Sequence, residues 1–297
     1  MTLSSDAALG AIAALGSACT WAVTSLLVRR LAPTLTSLMV NALRSVLGGA
    51  LLLAWVLLRS GSDDLTSVSP QAFLLLVVSI VIAVGVGDTL FFESARRLGI
   101  ARAMTLSMTY PLIATLLAAA TFGEAVTPSF LAGSVVTLAG LALIVMARDG
   151  HGERDPGQVR AGVTEATIAS VAWAVSVIVL KYPLAEMDAT SAQAIRLPVG
   201  GLLLWATPWA WPAAARVRAG GRSVQATLAC LSVLTAVSSV MFVVGVKHAG
   251  VAVTTVLSST APMFAIPLGM IFLGERLSVA GVLGTVVTVA GIAILQR

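Results

Sequence analysis

Charge is what this sequence has least of. Only 10% of its 297 residues are Asp, Glu, Lys or Arg, and the mean hydropathy is +0.99. A soluble globular chain carries roughly 25% charged residues. A chain this poor in charge cannot cover a water-facing surface, which excludes a soluble enzyme. Aromatic residues are also few, at 5%, and the formal net charge of +5 comes with no long basic run and no basic-aromatic patch. Nucleic acid is therefore not an expected partner. There are two cysteines, Cys19 and Cys230, each inside an apolar run, so neither a disulfide framework nor a metal site is implied. His151 and His248 lack metal-ligand spacing, and no phosphate loop or nucleophile-base arrangement occurs. No cofactor is expected, and an enzyme is the weaker rival class.

What the chain has is length of apolar run. A membrane helix needs about 20 mostly apolar residues. Ten such runs lie between the turn and charge clusters, at approximately 7–28, 34–58, 72–95, 100–122, 128–147, 162–181, 189–211, 224–246, 250–273 and 278–296. Their apolar positions are continuous rather than alternating, which argues against a transmembrane barrel. The first run has no basic start and exceeds the core of a signal peptide, so it reads as a span. The expected class is an all-α integral membrane protein of ten transmembrane helices, with the lipid bilayer as a partner.

The second half restates the first. Trp21-Ala22-Val23-Thr24 answers to Trp173-Ala174-Val175-Ser176, and Arg44 with Gly48-Gly49 answers to Arg196 with Gly200-Gly201, both 152 residues on. Gly99, Pro111, Gly123-Glu124, Gly133 and Gly140 answer to Gly250, Pro262, Gly274-Glu275, Gly284 and Gly291, all 151 residues on. One residue is lost between the two blocks. The division is a first five-helix repeat over 1–148, a connecting loop over 149–161 and a second repeat over 162–297. Five is odd, so the second unit enters the membrane from the opposite face. That is an inverted-topology repeat, an arrangement that places a substrate site near the bilayer midplane.

Ionisable side chains inside a span are costly and usually face a cavity or a partner. Arg44 lies about 10 residues into the second run, roughly 14 Å deep, and Asp88 about 7 residues before the end of the third, roughly 10 Å deep. Both fall in one leaflet, so they can pair, as a structural salt bridge or as a gate or proton-coupling carboxylate. The position answering to Asp88 is Ser239, so Arg196 lacks the equivalent carboxylate. It is either reached by Glu186 or Asp188, or left for an anionic substrate group. Asn41 and Gln193 precede their arginines by three residues and share a helix face with them. Ser107-Met108-Thr109-Tyr110-Pro111 and Ser258-Ser259-Thr260-Ala261-Pro262 set hydroxyls beside mid-helix prolines, which free backbone carbonyls. Tyr110 has no aromatic mate in the second half. Trp21 and Trp173 sit mid-span, away from the interfacial belt where tryptophan is normally enriched. The candidate substrate-binding residues are thus Trp21, Asn41, Arg44, Thr109, Tyr110, Trp173, Gln193, Arg196, Ser258 and Thr260, with Asp88 as coupling or gate residue. Hydrogen bonding between helices is the alternative for the polar ones.

Two five-helix units, each with an Arg in its second helix, a Pro in its fourth, Gly-Glu at the fourth-to-fifth turn and spaced glycines in its fifth, resemble the EamA family of the drug/metabolite transporter superfamily. The resemblance covers nearly the whole chain. It implies a ten-helix transporter whose cavity is lined by helices 1–4 and 6–9, with helices 5 and 10 peripheral. Known members include exporters of amino acids and related metabolites, so a small-molecule substrate and a coupling proton are the partners it implies. Here the first run has no acidic residue after Asp6, unlike the small multidrug relatives, and only two arginines are deep, unlike phosphate-handling ones. A different substrate class, or a passive channel, remains the alternative. The arginine excess and abundant alanine point to a bacterial cytoplasmic membrane. Orientation is argued both ways. Arg59, Lys181, Lys247 and Arg297 fall on the face of the termini, against twelve arginines on the other. The positive-inside rule puts the termini outside, whereas the resemblance more often implies termini inside.

Overall fold

The structure is a computed structural model and describes residues 5–61, 63–122, 128–146, 155–274 and 278–294. Described residues fall into helices and turns, with no strand among them. The principal helices are α1 (Ser5–Leu31), α2 (Ser37–Ser60), α3 (Pro70–Leu98), α4 (Ile100–Ser107 and Tyr110–Phe122), α5 (Pro128–Met146), α6 (Pro156–Lys181), α7 (Ala189–Trp205), α8 (Gly221–His248), α9 (Gly250–Ser258 and Ala261–Leu273) and α10 (Val279–Ile294). Seven of these, α1 to α4, α6, α8 and α9, are long and apolar enough to cross a membrane, and α10 is a shorter apolar helix.

Local chemistry sets the starts. Thr36, Ser69, Asp155 and Asp188 each accept a hydrogen bond from a backbone N–H of the first turn of α2, α3, α6 and α7. Pro70 and Pro156 follow two of these caps, where their missing N–H costs nothing. Asp188 is one of the few titratable groups outside the long apolar helices. Partial burial would push its carboxyl up, but donors from Ser191 and Thr190 and the charge of Lys247 outweigh this and hold it below the usual range. Gly99 and Gly250, repeat mates, turn the chain from α3 into α4 and from α8 into α9 with φ of 89° and 85°, a region open mainly to glycine. Gly123, Glu124, Glu275 and His151 lie outside the described residues.

Four helices depart from straight runs, in three ways. The prolines act as expected in α4 and α9: the chain turns at Met108-Thr109 and Ser259-Thr260, just before Pro111 and Pro262. Helix α7 ends at Trp205 rather than near 211, because Pro208 and Pro212 carry the chain through turns. The third departure was not foreseen: Val81–Asp88, in the middle of α3, is π-helical. A π-helical turn holds one residue more than an α-turn. Gly48 packs against Ser232 of α8, and its mate Gly200 packs against Ile80 of α3, so Ile80 and Ser232 correspond at 152 residues. Beyond the π-helical stretch, Gly99 and Gly250 correspond at 151. The residue that separates the two repeat periods is absorbed in this stretch.

Packing is dominated by contacts between the two halves of the chain. The most extensive partners are α3 with α6, α5 with α10, α2 with α7 and α1 with α8. Small residues allow these approaches, as in membranes generally. A Cβ on Gly49 would stand 2.4 Å from the Pro198 nitrogen, and one on Gly201 would stand 2.5 Å from the Val46 nitrogen. A Cβ on Gly140 would stand 2.5 Å from the Thr288 nitrogen, and one on Gly291 would stand 2.4 Å from that of Thr137. The buried cluster runs through the middle of the bundle, from Ala18 and Ala22 through Phe91, Phe92 and Met104 to Leu180 and Leu231. Ile12, Leu58, Leu74, Val135, Ile271 and Val279 are each more than half exposed on its outside. Such a surface suits hydrocarbon rather than water.

Candidate functional site

A cavity of about 160 Å³ lies at the centre of the bundle. Helices α1, α2, α3 and α4 supply its walls from one half, and α6, α7, α8 and α9 from the other; α5 and α10 do not reach it. Aromatic and aliphatic side chains, among them Trp21, Tyr110, Trp173, Leu197 and Phe242, make much of the lining. Set among them are Arg44, Asp88, Gln193, Arg196 and several hydroxyls.

Arg44 is saturated. Its Nε donates to Asn41 Oδ1 at 2.8 Å, its Nη1 to Thr235 Oγ1 at 3.2 Å, and its Nη2 pairs with Asp88 Oδ2. The guanidinium also lies 5.6 Å from the Trp21 ring centroid and 5.3 Å from that of Phe92, within cation-π range. Asp88 is bound from both halves, because Trp173 Nε1 donates to its Oδ1 at 2.8 Å. The close seat of Trp173 depends on Gly87, where a Cβ would stand 2.6 Å from the indole. Inside the π-helical stretch the Val84 carbonyl takes two side-chain donors: Asn41 Nδ2 at 3.4 Å and Thr89 Oγ1 at 3.1 Å. Asn41 thus stands behind the wall and braces both Arg44 and the π-helical stretch.

Arg196 is placed differently. Its Nε donates to Ser79 Oγ at 3.0 Å and its Nη1 to Gln193 Oε1 at 2.7 Å, and no described residue accepts from its Nη2. Neither Glu186 nor Asp188 reaches it. Glu186 accepts from Ser69, and Asp188 caps α7. The side chain is only 4% exposed and lines the cavity. Asp88 acts on it only through space, and a buried cation with a donor to spare can donate to an anionic oxygen. Trp21 has a parallel feature, since its indole Nε1 is buried and without a partner. The rings of Trp21 and Trp173 meet edge to face, centroids 5.8 Å apart, and Tyr110 stands 6.1 Å from Trp173.

Comparison with known proteins agrees with this architecture. The profile of the EamA-like transporter family matches twice, over residues 8–146 and 160–297. The chain belongs to the EamA-like transporter family. A protein of Archaeoglobus fulgidus described as an uncharacterized transporter is 26% identical over 225 residues, which span 76% of each chain. A solved crystal structure superimposes with a TM-score of 0.68 over 99% of this chain and 96% of that one, at 19% identity, a likeness of fold alone.

Of the residues singled out in this EamA-like sequence, Trp21, Arg44, Asp88, Tyr110, Trp173, Gln193, Arg196 and Ser258 come together around the cavity. Asn41, Thr109 and Thr260 do not line it. The two threonines lie at the helix breaks and donate back to Leu106 O at 2.8 Å and Leu257 O at 2.6 Å. Sequence reasoning missed Ser79, Ser176 and Thr235, which hold the site's frame: Ser176 Oγ donates to the Ser79 carbonyl at 2.8 Å. Ser176 stood in the repeated Trp-Ala-Val-Ser block, which was its signal. Thr235 had none, because its mate region carries Ala83 and Val84.

Proposed function

We propose that this EamA-family protein moves a small zwitterionic or anionic metabolite, a free amino acid or a related compound, across a bacterial cytoplasmic membrane by alternating access around the central cavity, in the direction of export. The observation that carries this reading is Arg196: a buried guanidinium on the cavity wall with an unused donor and no carboxylate bonded to it, Asp88 acting on it only through space. The aromatic and aliphatic walls suit a substrate that also carries apolar atoms.

The frame of the proposal is ten spanning helices in two inverted repeats, residues 1–148 and 162–297. Three sets of packing contacts support it, because each exchanges into its partner when mates are swapped. Gly49 on Pro198 becomes Gly201 on Val46; Gly140 on Thr288 becomes Gly291 on Thr137; Gly48 on Ser232 becomes Gly200 on Ile80. In each of the first two, residue numbers rise along one helix as they fall along the other, so mated helices run antiparallel. A two-fold axis relating antiparallel spans lies in the membrane plane. Asp88, held by Arg44 of its own half and Trp173 of the other, is placed to report a proton to both halves.

The test is counterflow in proteoliposomes preloaded with a mixture of free L-amino acids. Losing a charge-assisted hydrogen bond costs about 1.5–3 kcal/mol, so Arg196→Ala should weaken apparent affinity by roughly 10-fold to 100-fold. Arg196→Lys should recover part of it, because the planar fork is lost while the charge remains. Unchanged affinity in a correctly inserted Arg196→Ala protein, or no amino-acid flux in the wild type, counts against the reading. Flux that never runs against a gradient would instead favour a channel.

A further inference from the structure

The two arginines sit at mated positions, yet their surroundings are unequal. Arg44 Nη1 meets Thr235 and its Nη2 meets Asp88, whose other oxygen takes the Trp173 indole N–H. Exchange of the halves carries Asp88 to Ser239, Trp173 to Trp21 and Arg44 to Arg196. On that second side the carboxylate is missing. Ser239 turns its hydroxyl onto the Ala236 carbonyl at 2.9 Å and lines the cavity, as do Trp21 and Arg196. The two donors that Asp88 satisfies on the first side therefore have counterparts left over on the second: Arg196 Nη2 has no acceptor among the described residues, and Trp21 Nε1 is a buried donor with none. A buried donor left unsatisfied carries a desolvation cost, which a bound oxygen acceptor would relieve.

We infer that Arg196 Nη2 and the Trp21 indole N–H form a carboxylate subsite at the place that exchange of the halves assigns to the Asp88 carboxylate, and that the substrate's own carboxylate fills it. The inference rests on the inverted-repeat transporter reading above and deepens it. The substrate carboxylate completes on the second side the bridge that Asp88 builds on the first: a carboxylate held by an arginine of one half and a tryptophan of the other. A loaded cavity then has both bridges and an empty one has a single bridge, so the acid group is the part of the substrate that draws the halves together. Trp21 becomes a specificity residue, since its N–H asks for an acceptor.

Supplying the missing group from within the protein tests this. Ser239→Asp should raise the thermal unfolding midpoint of the purified protein at pH 8 by about 2–4 °C, and the gain should vanish in Arg196→Gln and shrink in Trp21→Phe. The same Ser239→Asp protein should lose transport of whichever amino acid the wild type carries, because its subsite is already filled. A Ser239→Asp protein that is less stable than wild type, or whose effect is the same with and without Arg196, overturns the subsite. Trp21→Phe, which keeps the ring, should weaken competition by amino acids about 10-fold and leave competition by their amides unchanged; equal effects on acid and amide also overturn it. If the wild type carries no amino acid, the substrate class proposed above fails, while the coupling between positions 239, 196 and 21 still decides the subsite.

Discussion

Asp88 ties together residues of three helices, so removing its charge has more than one consequence. Asp88→Asn keeps an oxygen for the Trp173 indole but leaves Arg44 buried without a counter-charge. Breaking a buried pair from one side costs about 3–5 kcal/mol. A fall in thermal stability of that order is expected, together with a transport rate that no longer varies with pH on the acid side; an unchanged pH profile removes the coupling role. At the surface, Asp188 offers a milder pH effect. Its carboxyl is held below the ordinary value, so the cap it provides to α7 is fully present above the unfolded-chain pKa of about 3.9 and is lost as pH falls through the lower folded value. Asp188→Ala should cost about 1 kcal/mol at neutral pH and nothing further on acidification, read by thermal unfolding across a pH series. The Arg44–Asp88 pair was legible in the sequence because depth along a helix follows from counting residues. The Ser79 partner of Arg196 was not, and neither was the Trp173 bond to Asp88. Both depend on how each helix is rotated about its axis, and a helix apolar all round carries no stripe from which to read that rotation.

Among the helices, the π-helical stretch of α3 is the feature with the most to explain. The change of repeat period from 152 to 151 was visible in the sequence, but nothing in an unbroken apolar run marked where the extra residue sits. The structure puts it at Val81–Asp88, beside the cavity, where π-helical turns often serve function. The second half crosses the same distance in α8 with one residue fewer and no such turn. Deleting Gly85 should therefore be tolerated by the fold, with yield and unfolding midpoint near wild type, while transport falls because Asp88 and the Val84 carbonyl lose their settings. A protein that fails to fold after this deletion would show that the stretch is needed for packing. By contrast, Gly49→Leu should be poorly tolerated. Its side chain would meet backbone of α7 rather than a movable side chain, and overpacking of this kind costs about 1–3 kcal/mol.

Over the whole molecule, the helical class and the duplication of halves were readable from the sequence, because mated residues recur at two adjacent spacings, 152 and 151. Which helix packs on which was not, since α1 chooses α8 and α3 chooses α6 rather than their sequence neighbours. For orientation, the charge count predicts the connections carrying Arg59, Lys181 and Lys247 outside, against the orientation that the family resemblance implies. In a protein with Cys19 and Cys230 replaced by Ala, a cysteine at position 59 should react with an impermeant maleimide in intact cells, and one at position 218 only after permeabilisation. The reverse pattern would put the termini inside.

The interlocking of the halves has a further consequence during synthesis. Gly140 of α5 is made long before Thr288 of α10, the residue it rests on. At about 5–20 residues per second, the ribosome needs roughly 7–30 s to deliver that partner. For that time the newborn first half stands in the lipid with the glycine groove of α5 open, and Arg44 is without Thr235 until α8 is made. An early half-chain in this condition is a target for quality-control proteases and for pairing with another copy of itself. The rate of translation through the second half is thereby coupled to the yield of folded protein.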